Sequence, residues 1–413
     1  MNYSLNNGIG RSEKRPYNAR IVLSGFVCLL FLMATHVIGF AAEWSLLPSI
    51  GMKGYYNDNL LLTPSPHDPT YGYWISPAAE FAGKTERLEV SGKAALDFVN
   101  YYGGETSEFT NIFLPIQMRY RTEKDEWGFA GGFSRDNTLM GELQATGLVL
   151  RFTQRNMWNA SPTWTRTLTE NMTFQGTFQF TDTTYEDGLL LNLVNYQVWG
   201  GSASIAYQYS ERDKIQLAAT YTNFHTTNAP SELRVSMPGA LATVSHQFSE
   251  SVEASVYGGP RFLTSSSLVA DTKLMGRDVV WVYGTSLSKR FEKAVLQASV
   301  GREIMPSGFG LLLQTDRARL TVSYNFSETI AGSFDISGYR ISGVSPLANG
   351  GTLSDNRLLY FTPQVDWKLS EWWKMELAYS LRVRDSDSIS EPVFSNGLTL
   401  MLTYYPPKLA ISN

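Results

Sequence analysis

From Trp44 onward the chain alternates apolar and polar residues with a period of two. In 44–57, Trp44, Leu46, Pro48, Ile50 and Met52 fall on one face, and Ser45, Ser49, Gly51 and Lys53 on the other. That period places the two sets on opposite sides of a sheet. The division recurs at 87–99, where Leu88, Val90, Ala94, Leu96 and Phe98 oppose Glu89, Ser91, Lys93 and Asp97. It recurs again with Ile112, Leu114, Ile116, Met118 and Tyr120 against Asn111, Gln117, Arg119 and Arg121. Late in the chain Trp373, Met375, Leu377, Tyr379 and Leu381 oppose Lys374, Glu376, Ser380 and Arg382. A helix cannot sustain this alternation. The charged face cannot lie against lipid at low cost, so it must face water or protein.

Short acidic turns punctuate these runs, marked by Glu86, Glu126, Glu170, Glu211, Glu250, Glu292, Glu328 and Glu371 at intervals of roughly forty residues. Two runs lie between successive turns, each long enough to cross a membrane as a tilted strand. Strands are expected at 44–57, 72–85, 87–101, 109–122, 126–136, 156–168, 171–184, 195–209 and 213–225. They continue at 233–248, 251–264, 278–290, 293–305, 312–326, 329–341, 357–369, 372–385 and 394–405, which makes eighteen. Tight connections such as Ser210-Glu211-Arg212-Asp213 alternate with longer loops at 58–71, 137–155, 265–277 and 342–356. In outer-membrane barrels the short turns are periplasmic and the long loops extracellular, so an even count puts both termini in the periplasm. The expected fold is all-β, a transmembrane antiparallel up-and-down β-barrel of about eighteen strands over residues 42–405. A β-propeller has a similar repeat length but divides it among four short strands, not two long ones.

Composition and targeting agree with export. Lys14, Arg15 and Arg20 precede an apolar run from Ile21 to Ala42, and Gly39-Phe40-Ala41 offers a small-x-small cleavage pattern. This reads as a signal peptide over 1–41 cut near Ala41 or Ala42; its length also permits an uncleaved anchor. Cys28, the sole cysteine, lies inside that run. The exported chain would carry no disulfide and no Cys-based metal or haem site, so strand pairing alone must close the barrel. Residues 406–413, after Pro406-Pro407, read as a short periplasmic tail. The net charge of −4 implies no general affinity for nucleic acid. The 13% aromatic content suits Trp and Tyr girdles at the two membrane interfaces, against lipid and lipopolysaccharide.

The inward face carries the candidate chemistry. Its pore-lining candidates are Lys53, Arg87, Lys93, Arg119, Arg121, Arg261, Arg317, Arg319, Arg382 and Arg384, with Glu89, Asp97 and Glu376 among the opposing acids. A positive excess there would favour anions through a focused field. Cross-strand ion pairing with no selectivity accounts for the same residues equally simply. Arg317/Arg319 and Arg382/Arg384 are the sharpest pairs, because residues two apart share a face. Asp-Asn-x-Leu occurs three times, through Asp58/Asn59, Asp136/Asn137 and Asp355/Asn356, each at an expected outer strand end. Asp and Asn turn a chain by bonding their own backbone, so these read as rim turns; their carboxylates fall short of a calcium loop. His67, His225 and His246 have no assignable nucleophile partner, and no phosphate loop or metal signature occurs. Neither an enzyme nor a cofactor site is expected; a loop-active surface hydrolase using His67 or His225 is the further alternative.

The segment 44–63 also resembles the start of a family of outer-membrane β-barrels associated with exopolysaccharide and PEP-CTERM surface systems. Trp44, Pro48, Tyr56, Asp58, Asn59, Leu61 or Leu62 and Thr63 carry the resemblance. It implies an outer-membrane location and a channel for a secreted polymer, with polysaccharide export machinery as partner; with the inward positive excess, the expectation is a porin-like channel for an anionic polysaccharide or small anions. It supplies no catalytic residues. A barrel sheath around a multihaem cytochrome is the alternative; the chain has no Cys-x-x-Cys-His of its own, so the partner would bring the haem.

Overall fold

The computed structural model describes residues 43–104, 106–139, 141–142, 152–227, 232–269, 272–344 and 355–412. The expected signal segment 1–41, with Cys28, lies outside them. The first strands are β1 (Glu43–Asn57), β2 (Thr70–Lys84), β3 (Leu88–Gly103), β4 (Ser107–Arg121), β5 (Asp125–Asn137) and β6 (Gln154–Thr169). Next come β7 (Met172–Tyr185), β8 (Asn195–Gln208), β9 (Asp213–Thr227), β10 (Glu232–Ser249), β11 (Val252–Val269) and β12 (Thr272–Arg290). The series ends with β13 (Ala294–Pro306), β14 (Leu312–Asn325), β15 (Ile330–Gly343), β16 (Asn356–Lys368), β17 (Trp373–Ser386) and β18 (Val393–Tyr404). Each pairs with its sequence neighbours, and β18 pairs antiparallel with β1 from Tyr404↔Ile50 to Gly397↔Asn57. The expected eighteen-strand antiparallel barrel is therefore present and closed. Closure leaves no free sheet edge, the condition for a sheet to cross a bilayer. Beyond the Pro406-Pro407 break a short β19 (Leu409–Ser412) also pairs with β1.

Register settles which alternate residues face inward. Lys53 sits opposite Trp74, and Trp74 opposite Val99. On the outer face Met52, Tyr73, Trp127, Leu217, Trp281, Phe394 and Leu400 are exposed, forming the apolar and aromatic belt that lipid requires.

Seven of the eight acidic turns carry a Ser or Thr immediately before the glutamate, and Phe291 stands there before Glu292. Ser210 Oγ accepts hydrogen bonds from the backbone N–H of Arg212 (3.1 Å) and Asp213 (3.0 Å). Ser327 Oγ does the same for Thr329 (3.2 Å) and Ile330 (3.0 Å), and Ser370 Oγ for Trp372 and Trp373 (both 3.2 Å). Thr85 and Thr122 accept from Leu88 and Asp125, each at 3.0 Å. A hydroxyl used this way reverses the chain while satisfying backbone donors that leave the ladder. Glu126 is a strand residue rather than a turn marker: it is the second residue of β5, opposite Arg121, and the glutamate of that turn is Glu123. Arg87 is likewise no wall residue. It lies in the turn between β2 and β3, where its carbonyl accepts from Arg121 N–H at 2.8 Å.

At the opposite end several connections fold into the barrel. Pairing of β12 with β13 stops at Tyr283↔Arg302, yet β13 and β14 stay paired to Pro306↔Leu312. The tip of that hairpin leans inward. Ile304, Phe309 and Leu312 pack against the inward-facing Tyr196, Phe224, Val235, Met237, Leu263 and Val280. Leu313, on the hairpin's other face, joins Leu62, Ile341, Leu358 and Val393. A third cluster unites Leu60 with Val99 and Tyr101, with Leu139 and Phe152 against it. Leu139 touches both the second and third clusters, so apolar packing runs from one wall of the barrel to the other. Leu62 holds a left-handed backbone (φ 55°) and is fully buried. Such a conformation costs on the order of 1–3 kcal/mol and persists where packing over-determines it.

The connection expected at 265–277 is largely strand, because β11 and β12 pair as far as Val269↔Thr272. Ser265, Ser266 and Ser267 hid it: a hairpin rising above the bilayer needs no lipid-facing apolar set.

Candidate functional site

The lumen wall divides into a paired and an unpaired set of charges. Toward the acidic turns, Lys93 meets Glu80 at 3.0 Å, and Glu89 lies 3.4 Å from Lys84 and 3.9 Å from Arg119. Arg121 contacts Glu126 at 2.8 Å. Arg319 contacts Asp335 at 2.6 Å, a carboxylate that also accepts from Thr321 Oγ1, and Arg317 lies 3.9 Å from Glu303. Lys374 bridges Asp366 (2.9 Å) and Glu376 (2.6 Å). Asp97 faces Asn111 across β3 and β4. All but Asp97, which has no basic group within 4.0 Å among the described residues, follow the ion-pairing reading.

Lys53, Arg261, Arg382 and Arg384 do not. Among the described residues none has a carboxylate within 4.0 Å. Lys53 Nζ lies 3.5 Å from the Trp74 ring centroid, a cation over an aromatic face. Arg382 Nη2 donates to Tyr55 Oη at 3.2 Å, and the buried Arg384 donates weakly to Asn356 Oδ1 at 3.4 Å. Arg261 donates to Thr220 Oγ1. Lys53 on β1 and the two arginines on β17 flank β18, which brings three of the expected cations into one arc.

Aromatic rings continue that arc. Tyr55 lies 5.9 Å from Tyr101, Trp74 lies 6.3 Å from Tyr101, and Tyr339 lies 5.5 Å from Tyr360. Tyr339 and Tyr360 border the second apolar cluster, and Tyr55 and Trp74 the third. The cations thus stand where the two clusters approach the β17–β1 wall. A guanidinium or ammonium taken partly out of water without a counter-charge is costly. An anion in the lumen would supply that counter-charge, with ring edges and hydroxyls beside it.

The three Asp-Asn sites act at the rim, each carboxylate holding the outer end of a neighbouring strand. Asp58 accepts from Asn396 N–H (2.6 Å) and Asn396 Nδ2 (2.7 Å), which clamps the β1–β18 seam. Asp136 accepts from Arg155 at 2.9 and 2.7 Å, and Asp355 from Arg340 at 2.9 and 2.7 Å. Asn59 is buried and closes its own turn, accepting from Thr63 N–H at 3.0 Å and donating to the Thr63 (2.8 Å) and Phe394 (3.0 Å) carbonyls. Asn137 and Asn356 are also buried, at the end of β5 and the start of β16. Asp58→Ala is expected to cost about 2 kcal/mol, since two donors lose a charged acceptor. The urea midpoint for loss of the compact, heat-modifiable gel band measures it, and an unchanged midpoint would assign the seam to backbone pairing alone.

The histidines stand apart. His67 Nδ1 is 3.0 Å from the Asp58 carbonyl, His225 is 3.5 Å from Glu232 at the outer rim, and His246 is 2.7 Å from Asp213 at the turn end. Sequence reasoning missed Tyr55, Trp74, Tyr101 and Tyr360 as lumen residues. It also missed Glu142, buried after β5, which accepts from Tyr185 Oη and from Gly308 N–H at 3.1 Å.

No protein-family model and no curated protein matches the chain. Similar solved structures include OccK9 (OpdG) of Pseudomonas aeruginosa, with 10% identity, TM-score 0.45, and coverage of 89% of this chain and 98% of that one. OccK2 (OpdF) of Pseudomonas aeruginosa in complex with glucuronate has 9% identity, TM-score 0.45, and coverage of 91% and 99%. The alcaligin outer-membrane receptor FauA of Bordetella pertussis has 10% identity and TM-score 0.45, over 90% of this chain and 76% of that one. The chain's own strand pairing carries the assignment to the barrel class.

Proposed function

We propose that the protein is a porin-like channel of the Gram-negative outer membrane, reached through the N-terminal signal, that admits small anions past a constriction formed by its inward-folded connections. The observation that carries this reading is the arc of Lys53, Arg382 and Arg384, without carboxylate partners, in a lumen whose other charges are largely paired. A fixed positive potential at a narrow, low-dielectric passage concentrates anions and repels cations. Tyr55, Trp74 and Tyr360 give that passage flat faces suited to planar or ring-shaped solutes. The apolar bridge through Phe224, Leu313 and Leu62 favours small solutes over a threaded polysaccharide or an enclosed haem protein.

Swelling of proteoliposomes tests the reading. Vesicles containing the barrel should swell faster in sodium gluconate than in N-methylglucamine chloride, when the impermeant partner ion is balanced by ionophore. Equal rates for the organic anion and the organic cation would remove the proposed selectivity.

A further inference from the structure

The wall between β12 and β13 is incomplete on its extracellular side. Their ladder runs from Arg290↔Val295 to Tyr283↔Arg302, and above it residues 272–282 of β12 pair only with β11. With a rise near 3.3 Å per residue and a tilt near 40°, the ladder ends about 18 Å above the turn side, inside an apolar band about 25 Å tall. Outward side chains just above that level remain apolar: Trp281 is 62% exposed and Val279 49%. Unpaired backbone at membrane depth is tolerated where it borders a cavity and not where it meets lipid tails alone.

Such a cavity lies directly inside, with a volume of about 380 Å³. Phe224, Met237, Leu241, Val282 and Ile304 line it, and Arg261 supplies its cation. Arg302 and Glu303 also reach the cavity, but Arg302 is held by Asp316 at 2.6 and 2.9 Å and Glu303 lies near Arg317. Arg261 has only the Thr220 hydroxyl. It lies flat over Gly239, where an added Cβ would come within 2.7 Å of Arg261 Cδ.

We propose that the gap between β12 and β13 is a lateral portal from the outer leaflet, and that the cavity behind it takes an apolar monocarboxylate whose head pairs with Arg261. The apolar walls accept the body of the molecule, the guanidinium supplies a charged, fork-shaped donor for its carboxylate, and the volume falls within the range of small-molecule sites. This route is separate from the anion path beside β17 and β1.

Photolabelling in lipid nanodiscs tests it, with decanoic acid carrying a terminal diazirine as the probe and peptide mapping as the readout. Adducts are expected on 237–241 and 302–306 as well as on the lipid-facing belt. Arg261→Gln should reduce the inner adducts about tenfold, the loss expected for a charged hydrogen bond. Leu241→Trp, which fills the cavity, should remove them, and the methyl ester of the probe should label the belt only. Both variants are checked for the heat-modifiable band. Adducts confined to the belt, or inner adducts unchanged in a folded Arg261→Gln or Leu241→Trp protein, would overturn the portal. Chloride conductance of the Leu241→Trp preparation should not change, so failure of the portal is distinguishable from failure of the channel reading.

Discussion

Deletion of residues 307–311, the tip between β13 and β14, is expected to raise single-channel conductance about threefold or more, because an eighteen-strand barrel without inserts encloses a water-filled channel. The tip joins the apolar clusters: Phe309 packs against one and Leu311 against the next. Its docking is specific. Gly308 N–H donates to the Glu142 carboxylate at 3.1 Å, and the Gly308 carbonyl accepts from Val194 N–H at 2.7 Å. Gly310 has φ 73°, and a Cβ there would lie 2.7 Å from the Val194 Cγ2. Gly310→Val therefore meets both backbone strain and a steric clash, and it should reproduce part of the increase without shortening the chain. Planar-bilayer recordings in 1 M KCl, a recording condition chosen on the order of the highest salt usual for screening surface charge, would read both variants. Unchanged conductance in the deletion would mean that the tip does not obstruct the path.

The second large effect is electrostatic. Lys53→Glu combined with Arg382→Glu should lower the anion-to-cation permeability ratio by about tenfold and reverse the preference at low salt. Neither side chain holds a carboxylate, so reversal changes the field in the constriction and breaks the Arg382–Tyr55 bond and the Lys53 contacts with Trp74 and Tyr55. Arg319→Gln with Asp335→Asn removes a close pair and no net charge. That double variant should leave the ratio nearly unchanged. If both double variants shift it equally, the lumen charges act as a diffuse set and the arc has no special place.

The transmembrane half of the barrel was legible because lipid and water impose opposite demands on alternate residues. Every expected strand is present, and each pairs with its expected neighbours. Ion pairing could not be read the same way, since it depends on which strands are neighbours and on their stagger. Arg319 has Asp335 beside it and Arg382 has Tyr55, though the sequence gives both the same local appearance. The filled extracellular half did leave a trace. In β10 the alternation inverts, with Leu233, Val235 and Met237 inward and Arg234 and Ser236 outward. In β9 Phe224 points inward between Asn223 and His225. An inverted pattern at the outer end of a strand means that lipid has been left behind and that protein packs inside. The positions of Leu62 and Gly308 could not be foreseen, because each is fixed by segments far away in sequence.

The reversal potential of the unmodified barrel in a tenfold KCl gradient, a size of gradient taken as roughly that of one decade in concentration, tests the anion path most directly. Potassium and chloride have nearly equal mobility in water, so any offset reports the fixed charge of the lumen. A potential displaced toward the chloride equilibrium value, shrinking as total salt rises and the arc is screened, is the expected result. A potential at zero, or one displaced toward potassium, would contradict an anion path lined by Lys53, Arg382 and Arg384.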